Sequence, residues 1–170
     1  IPATTRGQTG CCLSAGPIRN PTHRHDVNQE VGFGGGCHWC TEAVFQALRG
    51  VQQVDQGFIC SLPPDDNWSE AVIVQFDSEV ANLIDIHLHT HASNSEHSMR
   101  AKYRGAIYVD SQQRAQEANA ILHDMQATFN EPLMTRVLPL VEFKSSKPER
   151  RNYFEKNSGN QFCGRYIEPK

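Results

Sequence analysis

Long apolar runs are missing from this 170-residue chain. None approaches the roughly 20 residues needed to span a bilayer, and no charged, apolar and small-residue succession of a signal peptide opens it, so no membrane role is expected. A basic surplus is missing too. With 16 lysines and arginines against 19 acids and a net charge of -3, the composition is that of an ordinary soluble protein, not a polyanion binder, so nucleic acid is not an expected partner. No internal repeat is apparent, and the length suits one domain with its own core. The chain opens on Ile1 instead of methionine, which leaves room for a removed leader; the cytoplasm is the favoured compartment and a monomer the expected state.

What the chain does have is cysteine in informative places. Six of them stand at 11, 12, 37, 40, 60 and 163, in two close pairs with wide gaps, a spacing that fits redox or reactive positions better than a framework of disulfide staples. Three glycines run directly into Cys37-His38-Trp39-Cys40, and the amphipathic stretch Thr41–Leu48 follows. If the glycines close a loop and the stretch is a helix, Cys37 sits where unsatisfied amides and the macrodipole favour an anion, which is one of the few ways to lower a thiol pKa into the working range.

Residues 1–28, rich in Pro, Thr, Asn, Gly and His, read as a tail that includes Cys11 and Cys12; residues 29–170 read as a single catalytic domain whose polar C-terminal end is a mobile tail around Cys163. The domain begins with a short strand near Glu30–Phe33. A helix over about Cys37–Leu48 follows, with Cys40, Ala43, Val44, Ala47 and Leu48 on its inner face. Strands are expected at Val51–Cys60 and Glu70–Phe76, separated by a Pro63-Pro64-Asp65-Asp66-Asn67 turn. Val80, Leu83, Ile84, His87 and Leu88 mark a second helix, and Ala106–Val109 a further strand. Ser111 caps a third helix with Ala115, Ala118, Ile121, Leu122 and Met125 facing inward, and one last strand covers Met134–Phe143. The order β-α-β-β-α-β, then α-β, is that of an α/β (α+β) ferredoxin-like two-layer sandwich, with helices over one face of a mixed sheet.

Four blocks then carry a specific resemblance. Gly36-Cys37-His38-Trp39-Cys40-Thr41-Glu42-Ala43-Val44-Phe45 resembles the G-C-F-W-G-x-E-x-x-F signature of A-type peptide methionine sulfoxide reductases. Ser69–Asp77 resembles the family's H-A-E-V-V-E-V-x-[YF]-[DN] strand, and Lys102–Tyr108 its Q-Y-R-S-x-[IV]-[FY] segment. Asn152–Asn157, leading to Cys163 and Ile167-Glu168-Pro169-Lys170, is similar to the tail that carries a recycling cysteine in many members. The resemblance implies thiol-dependent reduction of methionine S-sulfoxide, free or in peptides, with thioredoxin or another dithiol as reductant and no bound cofactor or metal.

The chemistry gives these residues roles. A thiolate, Cys37, must attack sulfur while an acid protonates the departing oxygen; the acid implied by the match is Glu70, kept protonated by partial burial. Tyr103 resembles a family tyrosine that hydrogen-bonds the sulfoxide oxygen. Trp39 would wall the pocket for the substrate's methyl group. His38 replaces the usual phenylalanine, so it either alters that pocket or adds a proton donor, and Phe58 lacks the hydroxyl of the tyrosine found in many members. Ser98 stands where an acid usually precedes the Tyr103 segment. Glu42, near the helix start, reads as structural. A sulfenic acid on Cys37 condenses with a second thiol. Cys163 has the family position for that role; Cys40 is the alternative, three residues away, with the demands of disulfide geometry counting against it. Cys60 reads as a buried strand thiol.

Two other functions compete. Cys37-His38-Trp39-Cys40 is itself a C-x-x-C motif, as in a thioredoxin-like dithiol exchanger. His87, His89 and His91, with Cys37, Cys40 and His97, could form a Cys/His metal-binding module, although surface or capping histidines explain the run with fewer demands.

Overall fold

The computed structural model describes residues 29–94, 99 and 101–167. Cys11, Cys12, His97, Ser98 and residues 168–170 lie outside the described residues. The elements run β1 (Gln29–Gly34), α1 (His38–Gln46), β2 (Val51–Cys60), β3 (Ser69–Phe76), α2 (Val80–Thr90), β4 (Ala106–Val109), α3 (Gln112–Met125), β5 (Arg136–Pro139), β6 (Glu142–Ser145) and α4 (Tyr153–Asn157). They build one mixed six-stranded sheet of order β5-β4-β1-β3-β2-β6. Its inner four strands pair antiparallel in the ferredoxin-like arrangement expected from the element order, and β5 adds parallel to β4 after the α3 crossover.

Period-2 patterning decides the two faces. Val72, Val74 and Phe76 of β3 join Val31 and Phe33 of β1 beneath the helices, packed against Phe45, Leu83, Ile84, Leu88, Ala118 and Leu122. The alternate residues Ala71 and Ile73 face the other way and cluster with Ile59, Ala106 and Tyr108. No helix of the described chain covers that second cluster; the sheet itself encloses it. Only Leu140 and Val141 separate β5 from β6, which sit on opposite edges, and their amides bond to Val109 O and Cys60 O respectively. The three steps from Pro139 to Glu142 span at most about 11 Å, so the sheet has to curl until its edges approach at this corner. There the Ser61 hydroxyl donates to Pro139 O at 2.7 Å, and Leu138, Leu140 and Phe143 close over the hollow side.

Three expectations change. The single strand at Met134–Phe143 is two strands on opposite edges, because Leu140 and Val141 turn the chain across the corner. In α1 the inward residues are His38, Glu42, Ala43 and Phe45, while Ala47 is exposed, since α1 is packed from the sheet on one side and the C-terminal segment on another. Cys60 is fully buried but disulfide-bonded, not a thiol; burial alone cannot separate the two states, because both are small and apolar. The other expected helices hold, including the Ser111 cap, whose hydroxyl accepts from Arg114 N.

Candidate active site

The site is built where β1 runs into α1. Gly34 has no room for a side chain: a Cβ would lie 2.7 Å from Arg104 O. Gly35 and Gly36 both take positive φ, 145° and 78°, which a residue with a Cβ adopts only at a cost, and Cys37 follows as N-cap of α1. His87 of α2 and His91, which caps its C-terminus, pin this loop. His87, fully buried, donates from Nε2 to Gly34 O at 3.1 Å, and burial, with His91 beside it, holds its pKa well below the usual imidazole value. His91 stacks on His87 at 4.0 Å between centroids, bonds its Nδ1 to His87 O and leans against Gly35, where a Cβ would meet its ring at 2.5 Å. His87 and His91 thus support a backbone turn while His89 faces Asp85 and Phe129, and among the described residues no group of three His, Cys, Asp or Glu side chains is placed to hold a metal ion.

At the N-terminus of α1 the Cys37 thiol is lowered to about 7. The largest cause is a hydrogen bond from the Cys40 thiol, helped by the amides of Trp39 and Cys40; burial and the charge of Glu70 act in the opposite direction. A third thiol stands close by. Cys163 is fully buried in a small cluster with Ala43 and Ile167, against which Cys40 packs. Cys40 also points its Sγ at Tyr166 O, 3.7 Å away, and a cavity of about 240 Å³ opens between Cys37, Cys40, His91 and Tyr166.

The opposite side of Cys37 is made by the sheet. Glu70, 7% exposed, accepts from the His38 amide at 3.2 Å and has His38 Nε2 at 3.7 Å and Lys102 Nζ at 3.4 Å. His38 places its other ring nitrogen, Nδ1, 2.9 Å from Gly57 O. A carbonyl only accepts, so Nδ1 carries a proton and Nε2 is the nitrogen that faces Glu70. The Lys102 ammonium lies 4.8 Å from the Tyr103 ring centroid. Its pKa is raised, first by a hydrogen bond with the Tyr103 side chain and then by the charge of Glu70. Tyr103 therefore joins Glu70 through Lys102. Phe58, directly opposite Glu70 in the β2–β3 register, sets its ring 5.3 Å from the His38 imidazole.

Trp39, the expected wall of the methyl pocket, is itself held by aromatic neighbours. Its indole stacks on Tyr153 at 4.1 Å and meets Phe162 edge-on at 5.9 Å, so the C-terminal segment covers it. Glu42 secures that segment. Its carboxyl, 1% exposed, accepts from Asn152 N at 2.8 Å, Tyr153 N at 3.2 Å and Gln56 Nε2 at 3.3 Å. Lys102 and the Glu42–Asn152–Tyr153 clasp were not singled out from sequence. Lys102 left a signal, as the departure from the first position of Q-Y-R-S; the clasp left none, since its acceptor and donors are 110 residues apart.

A cysteine held near half-ionisation, a second free thiol hydrogen-bonded to it and a buried carboxyl whose charge reaches it define a thiol-dependent oxidoreductase on a ferredoxin-like sheet. The family described as "Peptide methionine sulfoxide reductase" matches residues 29–170, which include every group just described. The chain belongs to that family, whose members reduce methionine sulfoxide with thiols. It is 32% identical over 163 residues to "Peptide methionine sulfoxide reductase MsrA" of Deinococcus radiodurans, covering 85% of this chain and 79% of that one. It is 30% identical over 161 residues to the protein of the same description from Pasteurella multocida, covering 85% and 92%. The fold matches that of methionine sulfoxide reductase A of Corynebacterium diphtheriae, with a TM-score of 0.65 and 23% identity over 78% of this chain and 76% of that one. Mxr1 from Saccharomyces cerevisiae in complex with Trx2 is also similar in fold, with a TM-score of 0.56 and 13% identity over 75% and 86% of the two chains. These likenesses support neither a thioredoxin-like exchanger nor a Cys/His metal module.

Proposed function

We propose that this chain, acting as a monomer without a bound cofactor or metal, reduces the S epimer of methionine sulfoxide in peptides and as the free amino acid. The observation that carries this reading is the placement of Cys37, lowered to about 7, between Cys40 on one side and the Glu70–His38–Lys102 group on the other. The Cys37 thiolate attacks the sulfoxide sulfur while a proton carried by the Glu70 carboxyl passes to the oxygen; Tyr103 hydrogen-bonds that oxygen, and His38, Trp39 and Phe58 border the substrate. Oxygen passes to Cys37 as sulfenic acid and methionine departs. The Cys40 thiol then condenses with the sulfenic acid, releasing water and forming the Cys37–Cys40 disulfide. Cys163, which shares a cluster with Cys40, attacks the Cys40 sulfur and returns Cys37 as thiolate. An external dithiol reduces the Cys40–Cys163 disulfide. Because Mxr1 has been solved in complex with Trx2, a thioredoxin is the reductant to supply first.

The test is turnover of each methionine sulfoxide epimer separately, with thioredoxin or dithiothreitol. Reduction of the S epimer alone is expected; equal reduction of both, or of neither, would sink the reading. Peptide mapping after one turnover without reductant is expected to find the Cys40–Cys163 link, and a Cys37–Cys163 link in the Cys40→Ser variant. A wild-type enzyme that carries only Cys37–Cys163 would show that Cys163 resolves directly, as the family position implies.

A further inference from the structure

Beside the reacting group, on the edge of the sheet, lies a hollow of about 290 Å³ walled by Phe58, Trp68, Lys144, Ser146, Lys147 and Arg150. Apart from Phe58, which it shares with the substrate site, its residues have no role in the steps above. Three cations line it and no acid does, on a protein whose net charge is -3. None of Lys144, Lys147 and Arg150 has a carboxylate partner among the described residues. Ser146 is 6% exposed, and its hydroxyl, fully buried, has no hydrogen-bond partner among the described residues. A buried donor without an acceptor costs stability, which makes it an uncommon feature unless something binds there. Trp68, 39% exposed, offers an aromatic face at the rim.

Register connects this hollow to the chemistry. Lys144 is directly opposite Phe58, and Phe58 is directly opposite Glu70, so the three form one row across β6, β2 and β3 on the helix-bearing face. With neighbouring strands about 4.8 Å apart, the Lys144 backbone lies about 10 Å from that of Glu70. An extended peptide advances about 3.3 Å per residue, so a side chain two or three positions from the reacting methionine reaches the hollow.

We propose that this hollow is a subsite for an acidic side chain, aspartate or glutamate, two or three residues from methionine sulfoxide in an unfolded polypeptide substrate. The inference rests on the reading of Cys37 and Glu70 as the sulfoxide-reducing pair. The cations attract the carboxylate, the Ser146 hydroxyl donates to it, and Trp68 covers the adjoining aliphatic chain. A protein reductant is the less suitable occupant, because the cavity lined by Cys37, Cys40 and Tyr166, where thiols are reached, shares no residue with this hollow.

The experiment compares kcat/KM, with dithiothreitol as reductant, for otherwise identical peptides carrying Glu, Gln or Lys two or three residues from one methionine S-sulfoxide. Glu peptides should exceed Lys peptides by about threefold to tenfold at low ionic strength, and the gap should shrink in 0.5 M salt. Lys144→Glu, and independently Lys147→Glu, should narrow or invert that order, and Ser146→Ala should weaken the preference for Glu over Gln. Equal kcat/KM for Glu and Lys peptides, with all of them turned over, would overturn the subsite and leave the catalytic reading standing. So would an order unchanged in both charge reversals, or variants whose only defect is a raised KM for thioredoxin. Failure of the free S epimer and every peptide to react would overturn both readings together.

Discussion

The two sides of Cys37 are built by different means. On the Glu70 side the sheet sets the frame: Glu70 and Phe58 are paired residues of β3 and β2, and Gly57 O, on the same strand as Phe58, orients His38 at the start of α1. On the thiol side the groups belong to α1 and to short helical turns between residues 153 and 167, held by an aromatic stack, a small apolar cluster and the Glu42 clasp. The difference matches two kinds of step. Proton transfer to a sulfoxide requires distances held through long-range pairing, whereas disulfide exchange requires sulfurs to change partners, which is easier on short turns outside the sheet ladder.

The comparison can be broken by removing what the two sides share, and then each side in turn. Cys37→Ser should abolish reduction of the S epimer entirely, measured as methionine released in a single turnover without reductant; residual release would mean that another thiol attacks first. On the sheet side, Glu70→Gln should slow that single-turnover step by about 100- to 10,000-fold, the usual cost of losing a positioned proton donor. Alkylation of Cys37 by iodoacetamide should continue in this variant, and a parallel collapse of both rates would show that Glu70 serves structure alone.

On the thiol side, Cys40→Ala removes the largest cause of the low Cys37 pKa, so the alkylation midpoint should move upward from about 7 towards the ordinary thiol value of 9.0. The sign follows from the thiolate being the reactive form: reactivity rises with pH through the pKa, and raising that pKa leaves less thiolate at neutral pH. A drop of about tenfold in alkylation rate at pH 7 is expected. A midpoint that stays put would assign the low pKa to the helix amides instead. Glu42→Gln should have the smallest effect on the first turnover. It replaces a carboxyl oxygen by an amide that cannot accept, at a cost of about 1–3 kcal/mol in denaturant unfolding. Amide exchange over 153–167 should quicken while β1 to β3 stay protected; uniform loosening of the sheet would show that the clasp supports the whole domain.

Much of the sheet side was legible in the chain. The alternation in Glu70–Phe76, the glycines before Cys37 and the spacing of α2 and α3 are local patterns, and local sterics and burial read them directly. Less was legible at the corner after Thr135, where one hydrophobic run proved to be two strands. Nothing local in Arg136–Ser145 distinguishes pairing with β4 from pairing with β2, since both partners are remote. The inner face of α1 was misplaced for a similar reason. A helix packed from two directions buries residues that a single apolar stripe does not predict, Glu42 among them.

By itself, then, the sequence singled out Cys37 as the candidate nucleophile and set out the element order and, through its resemblance to a reductase family, the class of reaction. These depend on residue type and short spacing. Only the tertiary structure decided which groups face one another: Cys40 bonded to Cys37, Lys102 and His38 beside Glu70, Tyr153 stacked on Trp39, and the Lys144–Phe58–Glu70 row running to a basic hollow. The reason is physical. Hydrogen bonds and ion pairs act over about 3 to 4 Å, and which side chains come that close across tens of residues is set by strand register and helix docking, whose partners no local pattern names.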